Sequence, residues 1–236
     1  MYLSNKQIRA KARDLLDGNI FGKDWLKSIL LCIMMLVIIV STGGVLFFLS
    51  NHYVKPFLLD FISTFFESEI LETVISVLLV FVDVLLLNIF IGPISVGLSA
   101  VHLDLVRGDG KIKISKFFYG FREFFDNFQI GFMYVLHIVL WGLLFIIPGI
   151  HIALSYSLAF YVKRDNPHYR WQQCFDESEI LMEGNKLKLV GLWLSFIGWA
   201  LVGFLAFFGV GCLWVYPYQT VSMAIFYDEL KKEKFD

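Results

Sequence analysis

Polarity along this chain changes on a scale of tens of residues. Ser28 to Leu49 is 22 residues without a charge, Asn127 to Val162 is 36, and Leu189 to Tyr227 is 39. A membrane-spanning helix needs about 20 predominantly apolar residues, so these runs are bilayer-sized. As one helix, Asn127 to Val162 would be about 54 Å long against roughly 30 Å of hydrocarbon. It must fold back. Proline removes a backbone donor and glycine permits a reversal, so Pro148 and Gly149 predict helices at about 128 to 147 and 150 to 162. The last run carries Gly209, Gly211 and Pro217. These predict a helix from about 187 to 208, a break, and a final helix ending near Tyr227. The stretch from about 70 to 106 contains Gly92 and Pro93 and reads as one kinked helix. The expected fold class is an all-α integral membrane protein of about six transmembrane helices, with Gly/Pro breaks and cytoplasmic interfacial helices.

Composition agrees with this reading. Hydrophobic residues make up 58% and charged residues 17%, against roughly a quarter charged in ordinary soluble domains, and mean hydropathy is +0.69. Loops on the cytoplasmic side are enriched in Lys and Arg. Of the 20 such residues only Lys55 falls in a connection on the opposite side, which places both termini in the cytoplasm. The chain then divides, within a single polytopic domain 1-236, into a cytoplasmic amphipathic arm 1-24, an extracytoplasmic amphipathic connection 50-69, cytoplasmic connections 107-127 and 163-186, and a tail 229-236. No A-x-A-like cleavage site follows the first apolar run, so that run is expected to remain as a helix. A net charge of -1 excludes a generally basic nucleic-acid binder. Cys32, Cys174 and Cys212 have neither disulfide-framework nor zinc spacing.

Two weak internal similarities bear on organisation. Ala12-Arg-Asp-Leu-Leu-Asp-Gly-Asn19 resembles Ser178-Glu-Ile-Leu-Met-Glu-Gly-Asn185, and Gly92-Pro-Ile-Ser-Val-Gly-Leu-Ser99 resembles Pro148-Gly-Ile-His-Ile-Ala-Leu-Ser155. They predict three related modules, each with an interfacial helix, a long membrane helix, a Gly/Pro break and a second helical piece. The Gly-Asn pairs read as helix ends. In the first of these helices Ile8, Ala12, Leu15 and Leu16 share one side, suited either to the inner leaflet or to the bundle. In the external connection Phe57, Phe61 and Phe65 recur at helical spacing with Lys55, Asp60 and Glu67 opposite, an amphipathic helix expected to rest on the outer leaflet or on the bundle.

Several stretches together resemble one known family. They are Ala12-Arg13 with Leu16, Gly18 and Asn19, the segment from Gly92-Pro93 to Leu103-Asp104-Leu105-Val106-Arg107-Gly108, Ile147-Pro148-Gly149-Ile150, Tyr156-Ser157-Leu158-Ala159-Phe160-Tyr161, Asp165-Asn166-Pro167, Gly184-Asn185-Lys186, Leu194-Ser195-Phe196-Ile197-Gly198-Trp199 and Leu213-Trp214-Val215-Tyr216-Pro217-Tyr218. The chain resembles the bacterial integral membrane family called domain of unknown function 975 (DUF975), over almost its whole length. A fainter likeness, mostly the Ile-Pro-Gly turn, is to the membrane domain of some glycerophosphodiester phosphodiesterases. The resemblance implies a membrane fold in a bacterial plasma membrane and brings no activity with it. The 50-69 connection is where this chain departs most from the family pattern.

Candidate chemistry is sparse. There is no HExxH, GxSxG or GxxxxGK[ST] motif, and none of the five histidines stands at ligand spacing from another. No cofactor, metal or catalytic residue is predicted. Asp83 is the one acid within an otherwise uncharged spanning stretch and His137 lies near the middle of another, which makes them a candidate pair at the midplane, with His151 as a fallback partner. The expected role is non-enzymatic: moving, exposing or sensing a lipid or small amphipathic molecule. The alternatives are an accessory, scaffold or protective factor for envelope components or export, and an intramembrane enzyme. Membrane lipids are the expected partners, and a protein partner or homo-oligomer is left open.

Overall fold

The computed structural model describes residues 3–19, 21–63, 69–109, 111–207 and 211–235, and every regular element among them is helical. Helices α1 (Asn5–Leu15), α2 (Lys23–Leu49), α3 (Lys55–Ser63), α4 (Glu69–Leu87), α5 (Ile91–Asp104) and α6 (Phe124–Leu144) lead into α7 (Ile146–Ser155), α8 (Ala159–Asp165), α9 (Trp171–Met182), α10 (Lys186–Phe207) and α11 (Cys212–Phe235). A 3-10 segment, Ile114–Phe121, precedes α6, and short π segments follow α2 and α5.

Among the described residues four helical stretches are long and apolar enough to cross a membrane: Lys23–Phe61, Phe124–Leu144, Ile146–Asp165 and Lys186–Leu205. In three of them only 17% of the most apolar window is buried. Such exposure requires an apolar surround. The buried residues gather at the other end of the bundle, where α1, α5, α8, α9 and the last turns of α11 supply Ile8, Leu103, Val162, Cys174 and Tyr227. The molecule thus has a packed, charged end and an apolar-surfaced end.

At the packed end α5 is enclosed. The 3-10 segment crosses it so closely that a Cβ on Gly97 would overlap the Phe117 carbonyl, and one on Gly120 would overlap the Pro93 carbonyl. Gly92 and Gly131 bring α5 against α6 in the same way. Small residues let helix backbones approach in lipid, where dispersion replaces the hydrophobic drive. Helix α1 opens with a Ser4/Gln7 capping box and buries Ile8, Ala12 and Leu16, packing on α11. Of the two settings open to that face, this is the bundle. Gly18 and Gly184 take positive φ, 63° and 78°, the left-handed ending that the Gly-Asn pairs predict.

The breaks fall elsewhere than the sequence suggests. The hairpin expected at Pro148-Gly149 turns at Phe145, whose backbone is extended, and α7 begins at the next residue. Pro148 lies in the first turn of α7, where its missing donor costs nothing. Gly149 packs the hairpin: a Cβ there would come within 2.8 Å of the Gly142 Cα. Gly92 and Pro93 likewise stand in the first turn of α5, after a turn over residues 88 to 90, so two helices replace the single kinked one. Pro217 lies inside α11, which continues past Tyr227 and takes up the expected tail as far as Phe235. The external amphipathic helix is not separate either. Ser50–Val54 joins α2 to α3 without leaving helical geometry, giving one 39-residue helix. Phe57 and Phe61 are exposed on it, and Phe65 lies outside the described residues.

The Gly120 crossing is directly testable. Gly120→Ala should cost about 1–3 kcal/mol through overpacking against backbone that cannot yield. Gly44→Ala, where nothing stands within 4 Å, should leave thermal unfolding in mild detergent unchanged. Equal melting temperatures for the two variants would contradict the crossing.

Candidate functional site

Three carboxylates meet at the charged end: Asp104 closing α5, Asp165 closing α8 and Asp228 on α11. Arg107, just past α5, holds Asp165 through two parallel hydrogen bonds of 2.7 and 2.8 Å and donates Nε to Asp228 at 2.8 Å. The forked guanidinium suits two carboxylates as a lysine would not. Arg164 joins Asp104 to Asp165. Tyr227 donates its hydroxyl to Asp165 at 2.9 Å and Lys231 its ammonium at 2.8 Å. Lys232 pairs with Asp228 at 2.6 Å and Lys116 with Asp104 at 3.1 Å. Three acids against five cations leave the lattice net positive. The cations at the ends of α5 and α8 also meet the negative end of each helix dipole.

Asp165 and Asp228 are almost enclosed, their side chains 6% and 4% exposed. Burial pushes the Asp228 carboxyl up, but hydrogen bonds from Lys232 and Arg107 outweigh it and hold the group below its ordinary range. The Asp165 hydrogen bonds raise the Arg107 guanidinium further above neutrality, against the opposing effect of its own burial.

Beside the lattice, between the 3-10 segment, the start of α6 and the end of α8, lies a cavity of about 250 Å³ lined by Val96, Tyr119, Arg122, Glu123, Asn127, Lys163 and Pro167. Lys163, 2% exposed, is committed to the carbonyls of Pro167 and Tyr169 and to Glu123 at 3.4 Å. Asn127 is buried and donates to the Gly120 carbonyl at 2.7 Å. Its Oδ1 has no partner among the described residues. Arg122 is exposed, and its side chain makes no hydrogen bond or ion pair with the described residues.

The expected Asp83–His137 pair does not form. Asp83 accepts from Ser50 at 2.6 Å. His137 bonds through Nδ1 to the Met133 carbonyl at 2.7 Å and stands among Tyr156, Trp171 and Phe175. His151 instead meets Lys186 at 2.7 Å. His102 is the histidine that sequence reasoning passed over: it is buried, 2.9 Å from the Ser28 hydroxyl and 3.4 Å from that of Thr220, and so joins α5 to α2 and α11. Ser178 on α9 was likewise unmarked. Its hydroxyl donates to Ser155 O at 2.7 Å and accepts from Leu158 N, satisfying the break between α7 and α8.

With this geometry in hand, comparison with known proteins finds one family model, described as Protein of unknown function (DUF975), over residues 132–234. Over those residues, less than half of its length, the chain is similar to that family. No curated protein and no solved structure matches the chain. The matched segment runs from within α6 to the last turn of α11. It supplies Lys163, Arg164, Asp165, Asp228, Lys231 and Lys232 to the charged end, while Asp104, Arg107 and Arg122 come from the preceding part. The lattice is therefore built across the boundary of the match.

Two outcomes follow. Asp165→Ala strands Arg107 and Lys231 and should destabilise by ~3 kcal/mol, as when one partner of a buried ion pair is removed, read as thermal unfolding in detergent. Asp228 titrates lower when folded than unfolded, so its contribution is complete above the ordinary carboxylate value of about 3.9 and is lost as pH falls through the folded value. Melting should decline below about pH 4, and Asp228→Asn should flatten that decline.

Proposed function

We propose that this protein is a six-span, non-enzymatic protein of a bacterial plasma membrane, with both termini cytoplasmic, that binds and thereby senses or exposes a lipid or small amphipathic molecule at its charged face. The observation that carries the reading is the cavity. It sits beside an unpaired Arg122, and Phe118 and Phe125, on the same short stretch, are 54% and 77% exposed. Exposed Phe rings beside cations are a pattern of segments that lie in a membrane interface. Adding α4 with α5, and α11, to the four long apolar stretches makes six spans.

Three-module organisation is supported by a repeated contact. The 3-10 segment packs on α5 and α9 packs on α8, each leaning on the module before it, and α1 packs on α11, which closes the ring. The charge lattice then ties the ends of the three inner helices. An accessory role for envelope components is the second reading. It draws on the length of the Lys23–Phe61 helix, about 58 Å at 1.5 Å per residue, whose far end would stand clear of the hydrocarbon.

Topology is tested by single cysteines. In intact cells Ser115→Cys and Asn166→Cys should resist a membrane-impermeant thiol reagent and Asn51→Cys should react. Labelling of Ser115→Cys but not Asn166→Cys would break the six-span arrangement. Binding is tested by native mass spectrometry of the full chain from mild detergent. A retained lipid or amphiphile is expected, and a bare protein with every lipid offered would refute the reading.

A further inference from the structure

We propose that the cavity beside Arg122 takes the phosphodiester headgroup of a phospholipid whose headgroup also carries a hydrogen-bond donor, a hydroxyl or an ammonium. This rests on the lipid-binding reading above and gives it a ligand class and a place.

The charges of the lining decide the class. Lys163 faces Glu123 at 3.4 Å and, outside the lining, the exposed Asp126 at 4.0 Å, with its hydrogen bonds spent on backbone carbonyls. That leaves Arg122 as the lining's surplus positive charge, matched by the single negative charge of a phosphodiester. Guanidinium binds phosphate through two parallel N–H donors. The Tyr119 hydroxyl, lining the same space, adds a neutral donor, and burial with the Glu123 carboxylate nearby keeps it protonated.

Asn127 supplies the second requirement. Its amide nitrogen is used by the Gly120 carbonyl, and its Oδ1, buried and unpartnered among the described residues, is an acceptor. A buried acceptor left unmade costs about 1–3 kcal/mol, so a ligand bringing an N–H or O–H there gains what a choline headgroup cannot provide. Glu123 offers a further acceptor to an ammonium.

Size and position choose the lipid source. A space of about 250 Å³ corresponds to roughly eight waters at ~30 Å³ each, enough for a headgroup and not for acyl chains. Those chains would lie outside, over Phe118 and Phe125. A soluble phosphate ester would leave these two rings with nothing to cover them.

The test uses the full chain in mild detergent, with native mass spectrometry against dioleoyl phosphatidylglycerol, phosphatidylethanolamine and phosphatidylcholine, and with inorganic phosphate as competitor. Wild-type protein should retain the first two lipids at least fivefold over phosphatidylcholine. Arg122→Gln should bring them down to the phosphatidylcholine level, and Tyr119→Phe should lower them about twofold. Lys111→Gln, a cation change in the neighbouring loop, should leave retention as it is. Thermal unfolding run in parallel should be unchanged for Arg122→Gln, because that side chain makes no bond within the described protein. Equal retention by wild type and Arg122→Gln overturns the site and leaves lipid binding standing. Equal retention of all three lipids overturns the donor requirement. Displacement by millimolar inorganic phosphate overturns the lipid source. A wild-type protein that holds no lipid overturns both this assignment and the reading beneath it.

Discussion

Arg107 is held between two carboxylates that lie 58 and 121 residues further along the chain, and this pairing fixes how the inner helices α5, α8 and α11 meet. With Asp165 and Asp228 anchored to one planar guanidinium, the C-terminal end of α8 and the last turns of α11 can stand only where the fork allows. Arg164, Tyr227 and Lys231 then close around Asp165, and the remaining cations balance a site that would otherwise be costly to bury. The close crossing of α5 by the 3-10 segment, and the cavity that opens beside it, depend on those helix ends being held. Arg122 is conspicuous because every acid of the lattice is already engaged elsewhere.

Much of the architecture can be read from the chain because bilayer thickness is a hard ruler. Runs of 36 and 39 uncharged residues can only be hairpins, and the structure has helix pairs in both places. What misled was the location of each reversal. Proline and glycine punctuate a sequence, but their costs depend on where in a helix they fall. Pro93 and Pro148 are harmless in first turns, and α11 carries Pro217 within it, so the turns moved to residues 88 to 90 and to Phe145, where no sequence marker stands. The 39-residue helix was divided in reading because its second half becomes amphipathic, yet nothing between Leu49 and Lys55 stops a helix.

The site was legible only in part. Asp83 and His137 attract notice as polar groups in apolar runs, but linear depth says nothing about azimuth: His137 bonds within its own helix and Asp83 to Ser50 of a neighbouring one. The lattice residues were passed over for the opposite reason: they sit where uncharged runs end, and charges there look like ordinary loop solvation. A sharper signal was present in the matched placement of Ala100 four residues before Asp104 and Ala224 four residues before Asp228, two helix ends of one pattern. Asn127 is beyond sequence reasoning, since its unpaired oxygen exists only through the packing around it.

The hydroxyl of Ser178 has a consequence for how the protein is made. It is the group that satisfies Ser155 O and Leu158 N where α7 gives way to α8, and it lies 20 residues later than Leu158. A chain synthesised from its N-terminus therefore holds an open helix break in the membrane, with two backbone groups short of partners, until the following amphipathic helix emerges and folds back. Unsatisfied backbone groups are expensive in lipid. The α7–α8 junction is thus provisional during insertion, and α9 is the segment that makes it permanent.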